Sequence, residues 1–250
     1  MNDLSGLLII FFASLGSSFF GTLVGGSSLI TIPVLIFLGL PPHSAIGTDR
    51  MGVTGIGIAG LYKFHQKGLV RYRIGFITGI PILLGSFLGA TLVMQINPST
   101  LKRIIAGITL FLLILVALNP KAGIDSPPRP LKAGDVLVGI LLSLLVGVYG
   151  GFYGASAGTF LAYILILVFG QTFLESAATL KIGSIMMTAT AALTFAYHGV
   201  IHYPLALAMF IGCATGSYAG AHYSDRIGNI WIKRLFIGVV FLMAIKLLIG

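Results

Sequence analysis

At 250 residues, 57% hydrophobic and only 8% charged, with a mean hydropathy of +1.05, the chain is too apolar for a soluble domain, which typically carries about a quarter charged residues. Uncharged runs at 4–40, 74–96, 104–119, 136–171, 182–197 and 205–221 fill nearly all of it, and a bilayer crossing takes roughly 20 apolar residues; the sequence therefore describes an all-α, multi-pass protein of the cell membrane. The net charge of +9 does not indicate nucleic acid, because the 15 basic residues are dispersed and sit mainly at the ends of apolar runs, as the positive-inside rule expects of loops.

In chain order the apolar segments fall at 4–24, 27–40, 45–64, 74–95 and 101–118, then at 135–153, 158–170, 176–197, 204–223 and 232–249. The N-terminus, Met1-Asn2-Asp3-Leu4, lacks the basic region of a cleavable signal, so the first segment is expected to be a retained helix. The second segment of each half is too short for an ordinary crossing and reads as a half-helix, giving about eight to ten spanning or half-spanning segments. The lone Cys213 excludes an intrachain disulfide.

The two groups of five are copies of one another. An offset of 131 carries Lys102-Arg103 onto Lys233-Arg234 and Gly85-Ser86-x-x-Gly89-Ala90 onto Gly216-Ser217-x-x-Gly220-Ala221. It also carries Gly68 and Tyr72 onto Gly199 and Tyr203, Gly107 onto Gly238, Gly52 onto Gly183, Thr48 onto Thr179, and Arg50 onto Lys181. Chance similarity between apolar helices matches Leu, Ile and Val, not Gly, Tyr and Lys-Arg in register. The expected organisation is a first repeat over 1–119, a linker over 120–134 carrying Pro120, Pro127, Pro128 and Pro130, and a second repeat over 135–250. An odd number of crossings per repeat inverts the second relative to the first. Charge agrees: the 63–73 stretch holds Lys63, Lys67, Arg71 and Arg73, while its counterpart 194–204 has no Lys or Arg, as inverted repeats predict. That places 63–73 and the linker in the cytoplasm; Lys102-Arg103 then falls outside, against the rule.

Glycine interruptions sit at matching places, Gly21 to Ser28 before Pro33 and Gly150 to Thr159. Paired breaks of this kind point to a transporter's midplane site, because a helix restarting there presents free N–H groups and a partial positive charge to an anion. The candidate ligands are the backbone at Gly25, Gly26 and Gly158, the hydroxyls of Ser27, Ser28, Ser156 and Thr159, and Thr48-x-Arg50 with its copy Thr179-x-Lys181. A cation inside a span costs several kcal/mol unless it faces a cavity or a partner. Packing glycines and snorkelling cations are the competing readings. His43, Asp49 and Glu175 are candidates for proton coupling. The five histidines show no metal-ligand spacing, and no phosphate loop, nucleophile elbow or paired carboxylates appear, so neither an enzyme nor a cofactor is expected. The Gly-Ser-x-x-Gly-Ala pattern reads chiefly as a helix-packing seam, with substrate contact as the minor alternative.

The run into Leu29-Ile30-Thr31-Ile32-Pro33, then Leu40-Pro41-Pro42-His43-Ser44-Ala45-Ile46-Gly47-Thr48, resembles the TauE/SafE family of membrane permeases, the sulfite exporters. In the second half the Gly-rich run to Thr159 and Ala177-Ala178-Thr179-Leu180-Lys181 are similar too, so the resemblance covers essentially the whole chain. It implies a secondary transporter, an exporter of small sulfur-containing anions such as sulfite or organosulfonates, with a homodimer as the expected assembly. Two departures mark this chain. Ser27-Ser28 and Ala155-Ser156-Ala157 stand where the family carries a fuller glycine run, and Ile164 stands opposite Pro33. A passive anion channel and a non-transporting membrane scaffold are the alternatives.

Overall fold

The computed structural model describes the backbone of 3–97, 100 and 132–249 and the side chains of 4–23, 25–97, 100 and 132–226. Every element among the described residues is helical: α1 (Asp3–Val24), α2 (Ser28–Phe37), α3 (Pro42–Gln66), α4 (Tyr72–Met94), α5 (Ala133–Phe152), α6 (Ala157–Leu167), α7 (Phe173–Tyr197) and α8 (Tyr203–Ile249). Five stretches are long and apolar enough to cross a membrane: 4–23, 72–94, 133–152, 173–197 and 203–226. The segment expected at 101–118, most of the linker, Lys102-Arg103 and Gly107 lie outside the described residues.

The elements start and stop where local chemistry requires. Pro42 opens α3 with its fixed φ. Thr172 and Glu175 cap α7 reciprocally, the Glu175 N–H donating to Thr172 Oγ1 at 3.2 Å and the Thr172 N–H to Glu175 Oε2 at 3.2 Å. The backbone turns left-handed at Gly25 and Ser156, at Gly39 and Gly170, and at Gly68 and Gly199, each pair separated by 131, whereas Gly26 and Gly154 are left-handed without such a counterpart. One expectation is corrected: the segments at 204–223 and 232–249 are a single helix, α8. The polar stretch between them, Ser224-Asp225-Arg226-Ile227-Gly228-Asn229, contains no proline to end it.

Neighbours fix the direction of every helix. Gly212, Gly216 and Gly220 of α8 lie against Phe11, Leu15 and Phe19 of α1, so these helices run parallel. Gly85 and Gly89 of α4 lie against Leu144 and Val148 of α5, again parallel. α3 runs antiparallel to α7, with Gly47 on Phe195 and Gly57 on Ile185, and parallel to α8, with Gly52 on Met209 and Gly60 on Ser217. Parallel to α7 runs α4, Gly75 meeting Ile182 and Gly79 meeting Met186. The short helices fold back on the ones before them. Leu38 returns to Gly6 and Ser27 to Gly21, making α1–α2 a re-entrant hairpin; Phe169 returns to Gly139 and Phe160 to Tyr149, making α5–α6 another. Thus α1, α3, α6 and α8 point one way and α2, α4, α5 and α7 the other.

The two hairpins lean on the opposite half, α1 on α8 and α5 on α4, while α3 and α7 cross at the centre. The Gly-Ser-x-x-Gly-Ala patterns are the seams of these contacts. A Cβ at Gly89 would overlap the Val148 carbonyl and one at Gly220 the Phe19 carbonyl, and Ser86 Oγ donates to the Met187 carbonyl at 2.7 Å. Gly89→Ala is therefore expected to lower stability by about 1–3 kcal/mol through overpacking. Gly16→Ala, where an added Cβ meets nothing within 4 Å, is expected to leave it unchanged or slightly raised; thermal unfolding of the detergent-solubilised variants compares the two.

Candidate substrate site

The C-terminal ends of α1 and α5 are buried, so their last carbonyls, which lack intrahelical partners, must be met from within the protein. The opposite half supplies the partners. Gly25, with φ +83°, comes so close to the second hairpin that an added Cβ would stand 2.7 Å from the Thr159 nitrogen and 2.9 Å from its Oγ1. Gly158 backs onto the Cα of Gly25. Gly26 faces Ser156, which holds the same left-handed turn as Gly25 with φ 64° although it carries a side chain. The glycine-rich stretches of the two halves are in direct contact.

Two buried cations flank this contact, each reaching into the other half. Lys181 of α7, 1% exposed, donates from Nζ to the carbonyl of Thr22 in the last turn of α1 at 2.7 Å. Arg50 of α3, also 1% exposed, reaches the carbonyl of Gly150 in the last turn of α5 at 3.5 Å and lies against Gly154. A cation at a helix C-terminus complements the helix dipole. Arg50 is further paired with Asp49 and donates from Nη2 to Ser28 Oγ at 2.7 Å. Ser28 Oγ in turn donates to Asp49 Oδ2 at 2.8 Å, and Thr31 donates to Asp49 Oδ1. This network pins the start of α2 to α3.

The remaining candidates separate into groups. Ser27 shares a hydrogen bond with Ser17 at 2.9 Å and braces the α1–α2 hairpin. Thr48 Oγ1 accepts the His202 N–H at 3.0 Å and Thr179 Oγ1 the Arg71 N–H at 3.1 Å; 202 − 71 is again 131. These hydroxyls tie down the loops entering α8 and α4. Glu175 pairs with Arg71 at 2.6 Å at the loop end of the bundle, not with Lys181, and the His43 imidazole contacts the Val93 carbonyl at 3.1 Å at the opposite end. Of the three coupling candidates only Asp49 lies beside the breaks. Among the described residues no three His, Cys, Asp or Glu side chains gather as metal ligands. Thr22, Gly150 and Gly154, which lie inside the glycine interruptions but were not among the candidate ligands, join the site, as does Thr31. Thr31 was within reach, one turn from Ser28 on the same face; the carbonyls of Thr22 and Gly150 carry no side-chain signal.

A multi-pass helical bundle that brings two helix breaks together between buried cations has the architecture of a membrane transporter. The chain belongs to the sulfite exporter TauE/SafE family, whose pattern it matches over residues 9–247. It is similar to a probable membrane transporter protein of Haemophilus influenzae, 27% identical over 96% of this chain and 94% of the relative. Also similar are the probable membrane transporter proteins YdhB of Bacillus subtilis, 24% identical over 91% and 92%, and YfcA of Escherichia coli K12, 24% identical over 96% and 88%. No solved structure matches the chain.

The two left-handed turns differ in what they tolerate. Gly25→Ala adds both strain and a collision with Thr159, and is expected to abolish a monodisperse, folded preparation. Ser156→Gly releases a left-handed side-chain residue, worth about 1 kcal/mol, and is expected to hold or raise the melting temperature in detergent.

Proposed function

We propose that this protein is a secondary carrier, an exporter, of small sulfur-containing anions such as sulfite or organosulfonates, bound where the two hairpin breaks meet. The observation that carries the reading is the contact of Gly25 with Gly158 and Thr159. It joins two helix restarts at one place, with Arg50 and Lys181 on either side. Anions favour such N-termini, and an ionisable side chain buried in a membrane span is by default a candidate for a functional path. The family match and the relatives support transport; the sulfur-anion class follows the family's description.

The halves, 1–119 and 135–250 with a linker over 120–134, form an inverted repeat in this reading. The support is directional: under the offset of 131, α1 corresponds to α5, α2 to α6, α3 to α7 and α4 to α8, and each runs opposite to its counterpart. Rocking one repeat on the other alternates access to the fixed site. Two ion pairs join the halves at the end bearing the 67–71 loop, Lys67 with Asp225 and Arg71 with Glu175; by the charge of that loop this end is cytoplasmic. Anion counterflow in proteoliposomes tests the proposal. Saturable exchange of labelled sulfite or a sulfonate is expected, reduced about tenfold or more in Lys181→Ala at equal reconstitution. Undiminished exchange in that variant removes Lys181 from the path, and no saturable exchange of any sulfur anion overturns the carrier.

A further inference from the structure

The two halves share a backbone but not a charge. The position equivalent to Asp49 is Leu180, one residue before Lys181 (180 − 49 = 131). Arg50 is therefore neutralised inside its own half by Asp49, and the hydroxyls of Ser28 and Thr31 complete that carboxylate. Lys181 has no such partner. Around it stand Thr22 of α1, Gly60 of α3 and Ser217 of α8: a Cβ at Gly60 would lie 3.0 Å from Lys181 Cε, 2.8 Å from Ser217 Oγ and 3.1 Å from Thr22 Oγ1. These neighbours offer hydroxyls and the Thr22 carbonyl, and none is acidic. Among the described residues Lys181 forms no ion pair, since Glu175 on the same helix is held by Arg71 and Asp225 of α8 by Lys67.

An ammonium withdrawn from water without a counter-charge is strongly disfavoured. One carbonyl at a helix C-terminus offsets only part of that. We infer that the missing charge is supplied by the substrate, and that it is a single one: the site takes a monoanion, with Lys181 as its counter-charge and Arg50 withheld by Asp49. This rests on the carrier reading above and sharpens it. Between tetrahedral oxyanions of similar size, a sulfonate matches the site and sulfate brings a second charge with nothing to meet it. Lys181 is thus the residue that sets charge selectivity, and Asp49 keeps the first half from adding to it.

The experiment compares methanesulfonate with sulfate, as sodium salts at matched ionic strength, by thermal stabilisation of the purified full-length protein, since a ligand of the folded state raises its apparent stability. Methanesulfonate is expected to give the same shift at about tenfold lower concentration than sulfate. Lys181→Met is expected to lose the shift with both. Leu180→Asp, which gives the second half the acid of the first, is expected to lose the methanesulfonate shift, whereas the uncharged Leu180→Asn, of the same shape at the same buried position, is expected to keep it. Asp49→Asn, which frees Arg50, is expected to move the preference toward sulfate. Equal or stronger stabilisation of the parent protein by sulfate overturns the monoanion inference and leaves the carrier standing, as does a full methanesulfonate response in Leu180→Asp. No shift with either anion in the parent protein, together with no saturable counterflow, overturns the carrier itself.

Discussion

A helix that ends buried inside the protein must find partners for its last carbonyls there, and the centre of this molecule is organised by how that is done. The ends of α1 and α5 are each met by a cation from the other half, Lys181 on Thr22 and Arg50 on Gly150. Because the partners are exchanged, neither hairpin is completed without the opposite half. The glycines at the breaks then serve a definite purpose: only a residue without a Cβ lets Gly25 approach Thr159 this closely. The same exchange appears at the ends of the bundle, where Thr48 holds the His202 N–H and Thr179 the Arg71 N–H.

Close packing sets the stage for the proposed site. Gly85, Gly89, Gly212, Gly216 and Gly220 draw α4 onto α5 and α8 onto α1 until backbone meets backbone, which is how helices associate where lipid is as apolar as the side chains. Those seams bring the hairpins to the α3–α7 crossing, and the cations of α3 and α7 then have carbonyls to reach. The seams position the breaks.

Asymmetry between the halves carries the chemical content. A duplicated backbone with identical side chains would hold two neutral pairs or two bare cations. Instead Asp49 faces Arg50 while Leu180 precedes Lys181, leaving one half internally neutral and the other with an ammonium to be matched. Ser156 in the left-handed turn that Gly25 holds in the first half is a second difference, placing a hydroxyl at the contact between the breaks.

By itself the sequence determined that the chain lies in the bilayer, that its residues repeat at an offset of 131, and that breaks recur at matching places, because hydropathy, glycine and proline act locally and print themselves on the residue order. It also marked Arg50 and Lys181 as anomalous, since a charge in an apolar run is costly wherever the chain goes. Only the tertiary structure decided which half each cation serves, that Thr48 and Thr179 brace loops, that Glu175 belongs to Arg71, and that α8 continues where two segments were expected. Those outcomes depend on which carbonyl, N–H or carboxylate another helix brings within about 3 Å, and backbone acceptors such as Thr22 and Gly150 are chosen by direction and depth rather than by residue type.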